Sequence, residues 1–417
     1  MNILSCLGLL VLLGAVRATG AEPGVLTKAQ WRQDGRQLAQ LLREKHVDLF
    51  ATVSEDDFNA AVVGFVEGVE EWNGRRIRVE LIRLAALPSR GGRNGHTMIW
   101  PLQPALGFSL LEIKLYEFEE GLFVVDAVEP HRDLVGARVL RLGRSTTARV
   151  RASIAPLIAR DGPPGLLRYV GTYSAIPDLL QALDHTASTD AVEVEVELAS
   201  GATIRRAIHC VTPTEFLRRF ATYTLLPGTD TRPFRATRLD DGVLYAKYNL
   251  VERRGPNGER FSRFVGDLRQ LMRQQPSAPV VIDVRDNSGG NNRTYQPLLE
   301  LLSQSAANAR GELFALIGRG TFSAAGNFIT DLEKRSNVVL IGEGTGGAPN
   351  QFGDARFHRL EHSAIEVAIP TVFWQKGGAG DQRLTHSPQV VAPPRAEDYF
   401  AGIDSALAAV RRQLASQ

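Results

Sequence analysis

Cysteine is nearly missing from this chain of 417 residues, which has Cys6 and Cys210 and no others. Once Cys6 is removed with the leader described below, Cys210 stands alone and no intrachain disulfide forms; this neither requires nor forbids an exported location. Lysine is also scarce, at positions 28, 45, 114, 247, 334 and 376. Most positive charge is arginine, scattered over the sequence, and the formal net charge is only +2. No basic stripe is present, so electrostatics gives no case for a nucleic-acid partner. Long apolar runs are missing too. The longest, Ile3 to Val16, is too short to cross a bilayer and has the length of a signal-peptide apolar region, although no Lys or Arg precedes it. Small residues at Ala18 to Ala21 offer a cleavage site, so the mature chain is expected to begin between about Thr19 and Pro23 and to lie outside the cytoplasm, periplasmic or secreted. A lipoprotein reading through Cys6 fails because almost no apolar segment precedes it. No internal repeat or low-complexity tract appears.

What is present is the balance of a globular chain, with 44% hydrophobic and 23% charged residues. The length exceeds one ordinary domain and predicts about two or three. Residues 27 to 88 read as helices. Leu38, Leu41 and Leu42 share one face; Ser54-Glu55-Asp56-Asp57 opens a second helix; Ile77, Leu81 and Leu84 mark a third, which Pro88 stops. A glycine-rich loop, Ser89 to Thr97, follows. From 105 to 212 short β patterns dominate, interrupted by a helical stretch at Ile176 to Leu183. Pro213 to Arg235 reads as a linker. From Gly242 onward strands and helices alternate, which predicts an α/β layer, and Tyr399 to Leu414 closes the chain as a helix.

Within that layer one stretch carries the candidate chemistry. The apolar run Leu313 to Ile317 predicts a buried strand, a turn follows at Gly318 and Gly320, and Thr321-Phe322-Ser323-Ala324-Ala325 leads into a helical pattern. This order sets the Ser323 hydroxyl at a helix N-terminus, where free N–H groups and the positive dipole end favour developing negative charge. The same pattern also describes an ordinary serine N-cap. Upstream, Val280 to Val284 predicts a buried strand ending in Arg285-Asp286-Asn287-Ser288-Gly289-Gly290, whose paired glycines allow backbone N–H groups to approach a substrate oxygen. His358 and His362 are four apart but the acid is Glu361, which is not the metalloprotease spacing, so no metal is expected.

Ile282-Asp283-Val284-Arg285-Asp286-Asn287-Ser288-Gly289-Gly290, then Thr321-Phe322-Ser323-Ala324-Ala325, then Gly342-Glu343-Gly344-Thr345-Gly346-Gly347, in this order, resemble the tail-specific (carboxyl-terminal-processing) serine peptidase family. The resemblance spans nearly the whole mature chain. It implies a multidomain α+β protein: a signal peptide at 1–21, an N-terminal helical bundle at 22–104, a PDZ-like β module at 105–212, a linker at 213–235 and a crotonase-like α/β catalytic core at 236–417. Ala105 to Phe108, the strand Leu122 to Val128, and Asp133 to Leu140 resemble the PDZ-like part, a module able to capture an extended peptide by strand addition. Ser323 matches the family nucleophile, with oxyanion donors at Ala324 and at Gly289 or Gly290.

Many members of the family use a serine–lysine dyad, yet Gly342 to Asn350 contains no lysine. The tricorn-core-like branch instead resembles a serine–histidine arrangement whose histidine ends the helical domain. His96 occupies that place. The branch also implies an acid downstream of the serine, for which Asp381 is the candidate and Glu343 the runner-up. The expectation is an exported serine peptidase acting on peptide or protein substrates without cofactor, with a rate limb at an apparent pKa of roughly 6 to 7.5 from His96. The family also includes retinoid-binding relatives, so a non-catalytic ligand- or peptide-binding protein is the alternative. Substrate specificity and oligomeric state are not encoded in these motifs.

Overall fold

The computed structural model describes residues 26–220 and 230–416. The expected leader and cleavage region lie outside the described residues. Three helices open the fold: α1 (Lys28–Lys45), α2 (Glu55–Gly68) and α3 (Gly74–Ala86). Each starts where the side chain of the preceding residue, Thr27, Ser54 and Asn73 in turn, accepts a backbone N–H from the first turn, of Gln30, Asp57 and Arg76. Leu38, Leu42, Phe58, Phe65, Ile77 and Leu81 bury the shared faces. Pro88 does end the third helix: α3 stops at Ala86, a tight turn spans Leu87–Gly91, and Gly92 takes a φ of 83° to redirect the chain. His96 sits on the loop that follows.

The middle of the chain is a seven-stranded antiparallel sheet. Its strands are β1 (Leu110–Leu111), β2 (Ile113–Phe118), β3 (Gly121–Ala127), β4 (Arg138–Leu142), β5 (Ser145–Thr146), β6 (Ala191–Glu197) and β7 (Thr203–Val211), in the order β1-β7-β6-β4-β3-β2 with β5 on β4. Between β5 and β6 lie α4 (Thr147–Ile154), α5 (Pro163–Ser174) and α6 (Pro177–Ala182). The sequence anticipates only α6. α5 escapes because its buried face is built from Gly165, Gly171, Thr172 and Ser174 as much as from Val170 and Tyr173. Gly171 lies so close to β2 that a methyl group there would stand 2.1 Å from the Leu115 carbonyl oxygen. Small residues chosen for close approach leave no apolar stripe to read. The expected linker is also more structured than its prolines suggest, since it opens with α7 (Pro213–Arg219).

The last part is a six-stranded sheet of order β17-β12-β11-β10-β9-β8. β8 (Phe234–Arg238) is antiparallel to β9 (Leu244–Tyr248); β9, β10 (Val280–Asp283), β11 (Leu313–Ile317), β12 (Val339–Gly342) and β17 (Val390–Val391) run parallel. β9, β10 and β11 are buried along their whole length, as strands covered on both faces must be. One face packs on α8 (Phe261–Gln274), α9 (Gln296–Ser303), the short α10 (Ala306–Arg310) and α11 (Ala324–Arg335). The closing helix is two pieces, α12 (Ala396–Phe400) and α13 (Ser405–Ala415), because Gly402 turns at a φ of 73° between them; α13 covers the other face of the sheet, while Ala396 of α12 packs against Phe118 and Val125 of the antiparallel sheet.

Four further strands leave this sheet and reach back. β13 (Asn350–Gly353) pairs with β16 (Val372–Gln375), and β14 (Arg356–Arg359) pairs with β15 (Glu366–Ile369). Ala368 bridges to Met98, and Leu360, Ile365, Val367 and Ile369 join the hydrophobic cluster of the N-terminal helices. Asp34 on α1 accepts the His362 and Ser363 N–H groups. Among the described residues no helix is long and apolar enough to cross a membrane.

Candidate active site

The turn between β11 and α11 is fixed from both sides. Thr321 Oγ1 donates to the Val284 carbonyl at 2.8 Å and accepts the Gly318 N–H at 3.2 Å. Asn287 does more: its carbonyl accepts the Phe322 N–H at 3.0 Å, its Nδ2 donates to the Tyr248 carbonyl at 2.8 Å, and its Oδ1 accepts the Gly289 N–H at 2.9 Å. One residue, through its side chain and its carbonyl, thus ties the ends of β9 and β10 to the residue before Ser323.

Ser323 pays the geometric cost of this junction. Its φ is 54° and its ψ −126°, a backbone conformation an L-residue rarely adopts, costing on the order of 1–3 kcal/mol. It stands at the N-cap position of α11, yet its side chain makes no capping bond. The ordinary N-cap reading therefore fails, and the hydroxyl turns elsewhere: Ser323 Oγ lies 3.0 Å from His96 Nε2. Two residues 227 apart in sequence meet at hydrogen-bond distance.

The His96 ring is wholly buried and stacks on Phe322, with centroids 4.5 Å apart and planes 22° from parallel. Burial, helped by the Arg168 guanidinium and opposed by the Phe352 backbone, pushes its pKa down from 6.5 to about 4. The ring is thus neutral at pH 7, and the expected limb near neutrality moves to about pH 4 for this group. Nδ1 makes no hydrogen bond of normal geometry among the described residues.

Asp381 is not where an orienting acid would have to be. Its carboxylate is gripped by the Arg383 guanidinium and accepts the Arg383 N–H, and no hydrogen bond joins it to His96. The Arg383 contacts hold its pKa below the usual carboxylate range. Its backbone carbonyl, by contrast, accepts from Arg93 on the His96 loop at 3.3 Å and from Asn350 at 3.0 Å. Glu343 is spent as well, in a bidentate pair with the buried Arg319. The lysines offer no base. Lys247 is buried between Asp283 and Asp286 at 3.2 and 2.7 Å; burial alone would lower its pKa, but the two carboxylates outweigh it and raise it. Lys376 is paired with Asp331 at 2.8 Å.

Around the hydroxyl, the first helical N–H groups of α11, beginning with Ala324, have no intrahelical acceptor. Gly289 lies against this corner at a φ of 105°; a methyl group there would stand 2.7 Å from Ser323 Cβ and 2.9 Å from the Ala324 nitrogen. Because the Gly289 N–H already donates to Asn287, Gly290 is the freer of the two candidate donors. Gly290 bridges to Val251 through its flanking residues, so its own N–H points away from that neighbour. Gln351 Nε2 donates to the Ser323 carbonyl at 3.1 Å. Phe322, Arg168 and Gln351 had no sequence signal beyond their neighbours. A cavity of about 380 Å³ opens at the carboxyl ends of the parallel strands, lined by Lys247, Asp283, Arg285, Asp286, Arg319 and Glu343 among others; neither Ser323 nor His96 lines it, so it is a neighbour of the serine corner and not its substrate cleft.

Three crystal structures share this fold. Mature CPAF matches with a TM-score of 0.61 at 13% identity, over 89% of this chain and 94% of that one. Mature CPAF complexed with lactacystin gives 0.62 at 12% identity, over 92% and 97%. A CPAF point mutant gives 0.61 at 12%, over 89% and 94%. No family model matches the chain, and no curated protein matches it in sequence.

Proposed function

We propose that this protein is a serine peptidase in which Ser323 is the nucleophile and His96 the general base. The observation that carries the reading is the strained, uncapped Ser323 with Oγ 3.0 Å from His96 Nε2. A strained serine between a strand and a helix, exposing its hydroxyl to a base, is the geometry that nucleophilic acyl transfer needs. The shared fold with mature CPAF supports it. On this reading the antiparallel sheet of residues 105–212 is the PDZ-like module and the parallel sheet of residues 236–417 the crotonase-like core.

The steps follow from the geometry. Ser323 Oγ attacks the peptide carbonyl carbon as its proton passes to His96 Nε2. The Ala324 and Gly290 N–H groups receive the oxyanion at the dipole's positive end. The tetrahedral intermediate collapses, the C–N bond breaks, and His96 gives its proton to the departing amine. Water then attacks the Ser323 ester with His96 taking its proton; the acyl C–Oγ bond breaks, His96 returns the proton to Ser323 Oγ, and the carboxylic acid product leaves. A buried imidazole with a resting pKa near 4 is a weak base, but the oxyanion and the imidazolium form together, and each stabilises the other in the low-dielectric site. Export is part of the proposal and rests on the leader at Ile3 to Val16; an intact mass that includes Met1, from protein recovered from its native cell, would remove it.

A fluorophosphonate probe and a peptide substrate test the centre. Wild type should be labelled and Ser323→Ala should be neither labelled nor active. Labelling of Ser323→Ala at the wild-type rate would place the nucleophile elsewhere. A wild-type protein that takes no label and cleaves nothing would favour the ligand-binding alternative.

A further inference from the structure

Asp161 lies in the middle part of the chain, far in sequence from both His96 and Ser323, and its side chain is completely buried. Both carboxylate oxygens are used on backbone N–H groups. Oδ1 accepts from Gly95, the residue before His96, at 2.7 Å, and Oδ2 accepts from Ala348, at the end of the glycine-rich loop after β12, at 3.2 Å. The Asp161 carbonyl accepts the Arg93 N–H at 2.9 Å. Gly95 has little room for a side chain, because a methyl group there would lie 3.0 Å from both Asp161 Oδ1 and Phe322 Cε2, and these would have to give by a few tenths of an ångström. The next residue, Gly162, is packed against the Leu384 carbonyl. One residue therefore pins the histidine loop and a core loop to the same point.

We infer that Asp161 is a positioning residue for catalysis: by accepting the Gly95 and Ala348 N–H groups together, its carboxylate sets the loop that aims His96 at Ser323. The inference rests on the proposed roles of Ser323 and His96. It fits a site in which no acid touches the imidazole: His96 is oriented through its backbone, by a carboxylate one residue away. Burying a carboxylate with only two N–H donors is expensive, and a purely structural junction would be served as well by neutral groups.

The carboxylate faces Arg93 on the histidine loop and Arg168 on α5, with His96 one residue beyond Gly95; the 344–348 loop meets it with the Ala348 backbone. Burial raises its pKa to about 7 against the pull of the two N–H groups and the two arginines. The ionised form accepts both N–H groups, so as pH falls through about 7 the clamp loses an acceptor.

The test is Asp161→Asn in the full chain, measured with a peptide substrate beside Ser323→Ala and His96→Ala. An amide accepts one N–H and turns its own NH₂ at the other. The expected result is a fall in kcat of about 10- to 100-fold, the scale of a displacement of about 1 Å, with KM within about threefold and a shoulder near pH 7 in the wild-type kcat profile lost in the variant. A folded variant with wild-type kcat and an unchanged profile overturns the inference while Ser323→Ala and His96→Ala remain inactive. If those two controls keep activity, the site assignment itself has failed. Should Asp161→Asn not fold, Gly95→Ala decides, because its methyl presses on Asp161 Oδ1 without burying a new polar group. The same loss of kcat at constant KM supports the clamp, and wild-type kcat overturns it.

Discussion

The two halves of the proposed active centre are built in opposite ways. The serine half is local: β10, β11, their loops and the start of α11 supply Asn287, Gly289, Thr321 and Ser323, and the bonds among them hold the strained corner. The histidine half is assembled from afar. His96 rides on a loop after the helical part, held by Asp161 from the middle of the chain and by β13, where the Phe352 N–H donates to the Arg93 carbonyl at 2.9 Å. Local construction tolerates changes elsewhere, whereas remote construction makes the base depend on every packed neighbour.

The comparison breaks most visibly at His96. His96→Ala is expected to lose on the order of 10³-fold or more in kcat/KM, since nucleophile and base act as a unit. A peptidase assay within a few-fold of wild type would end the dyad and leave Ser323 without a base. Next is Gly289→Ala, which adds a methyl 2.7 Å from Ser323 Cβ at a positive φ. Activity should fall on the order of 10²-fold, and a crystal structure should show the Ser323 corner displaced. Asp381→Asn sharpens the contrast from the other side. Its carboxylate serves Arg383 and its carbonyl serves the loop, so kcat should stay within about fivefold of wild type; a loss comparable to His96→Ala would restore it as the orienting acid.

The smallest effects are in stability. Ser323→Gly should raise the melting temperature while abolishing activity, because glycine relieves a strain of about 1–3 kcal/mol; a lower melting temperature would mean the corner is not strained. The histidine half has a pH signature. His96 and His386 have folded pKa values depressed from 6.5 to about 4 and about 3 by burial. An unfolded chain therefore binds protons at both below pH 6.5 that the folded chain refuses, and stability is lost as pH falls toward 4. Asp161, raised to about 7, acts with the opposite sign over the same window. His46, His131, His185 and His358 are depressed by burial in the same sense as His96 and His386, while Glu117 and Glu252 are raised like Asp161, so depressed histidines outnumber raised carboxylates and denaturation midpoints should drop from pH 6.5 to 4.5, more steeply in Asp161→Asn.

The same division explains what the sequence disclosed. The strand-turn-serine-helix unit and the double glycine are contiguous, so spacing and chain order mark Ser323 and the Gly289-Gly290 pair as candidates, although the nucleophile and oxyanion roles come from the family resemblance. His96 was reachable only through a family resemblance, because nothing near Gly95-His96-Thr97 marks it as a base. Asp161 was invisible: it lies in Arg160-Asp161-Gly162-Pro163, an ordinary turn in composition, and its role exists only once two distant loops arrive beside it. Asp381 misled for the same reason. Chain order set it downstream of the serine, but Arg383 two residues on claims its carboxylate.

The strands β13 to β16 give the fold a property of timing. β15 bridges to Met98, Phe352 donates to Arg93, and Asp34 receives the His362 and Ser363 N–H groups, so the last quarter of the chain completes the module that opened it. A chain interrupted anywhere between the end of α11 and Asn350 already contains its serine and its histidine but lacks the strands that brace the loop between them. Such a fragment carries both groups of the proposed dyad and no fixed distance between them, so on that proposal peptide cleavage arrives last, with the closing of the chain on its own beginning.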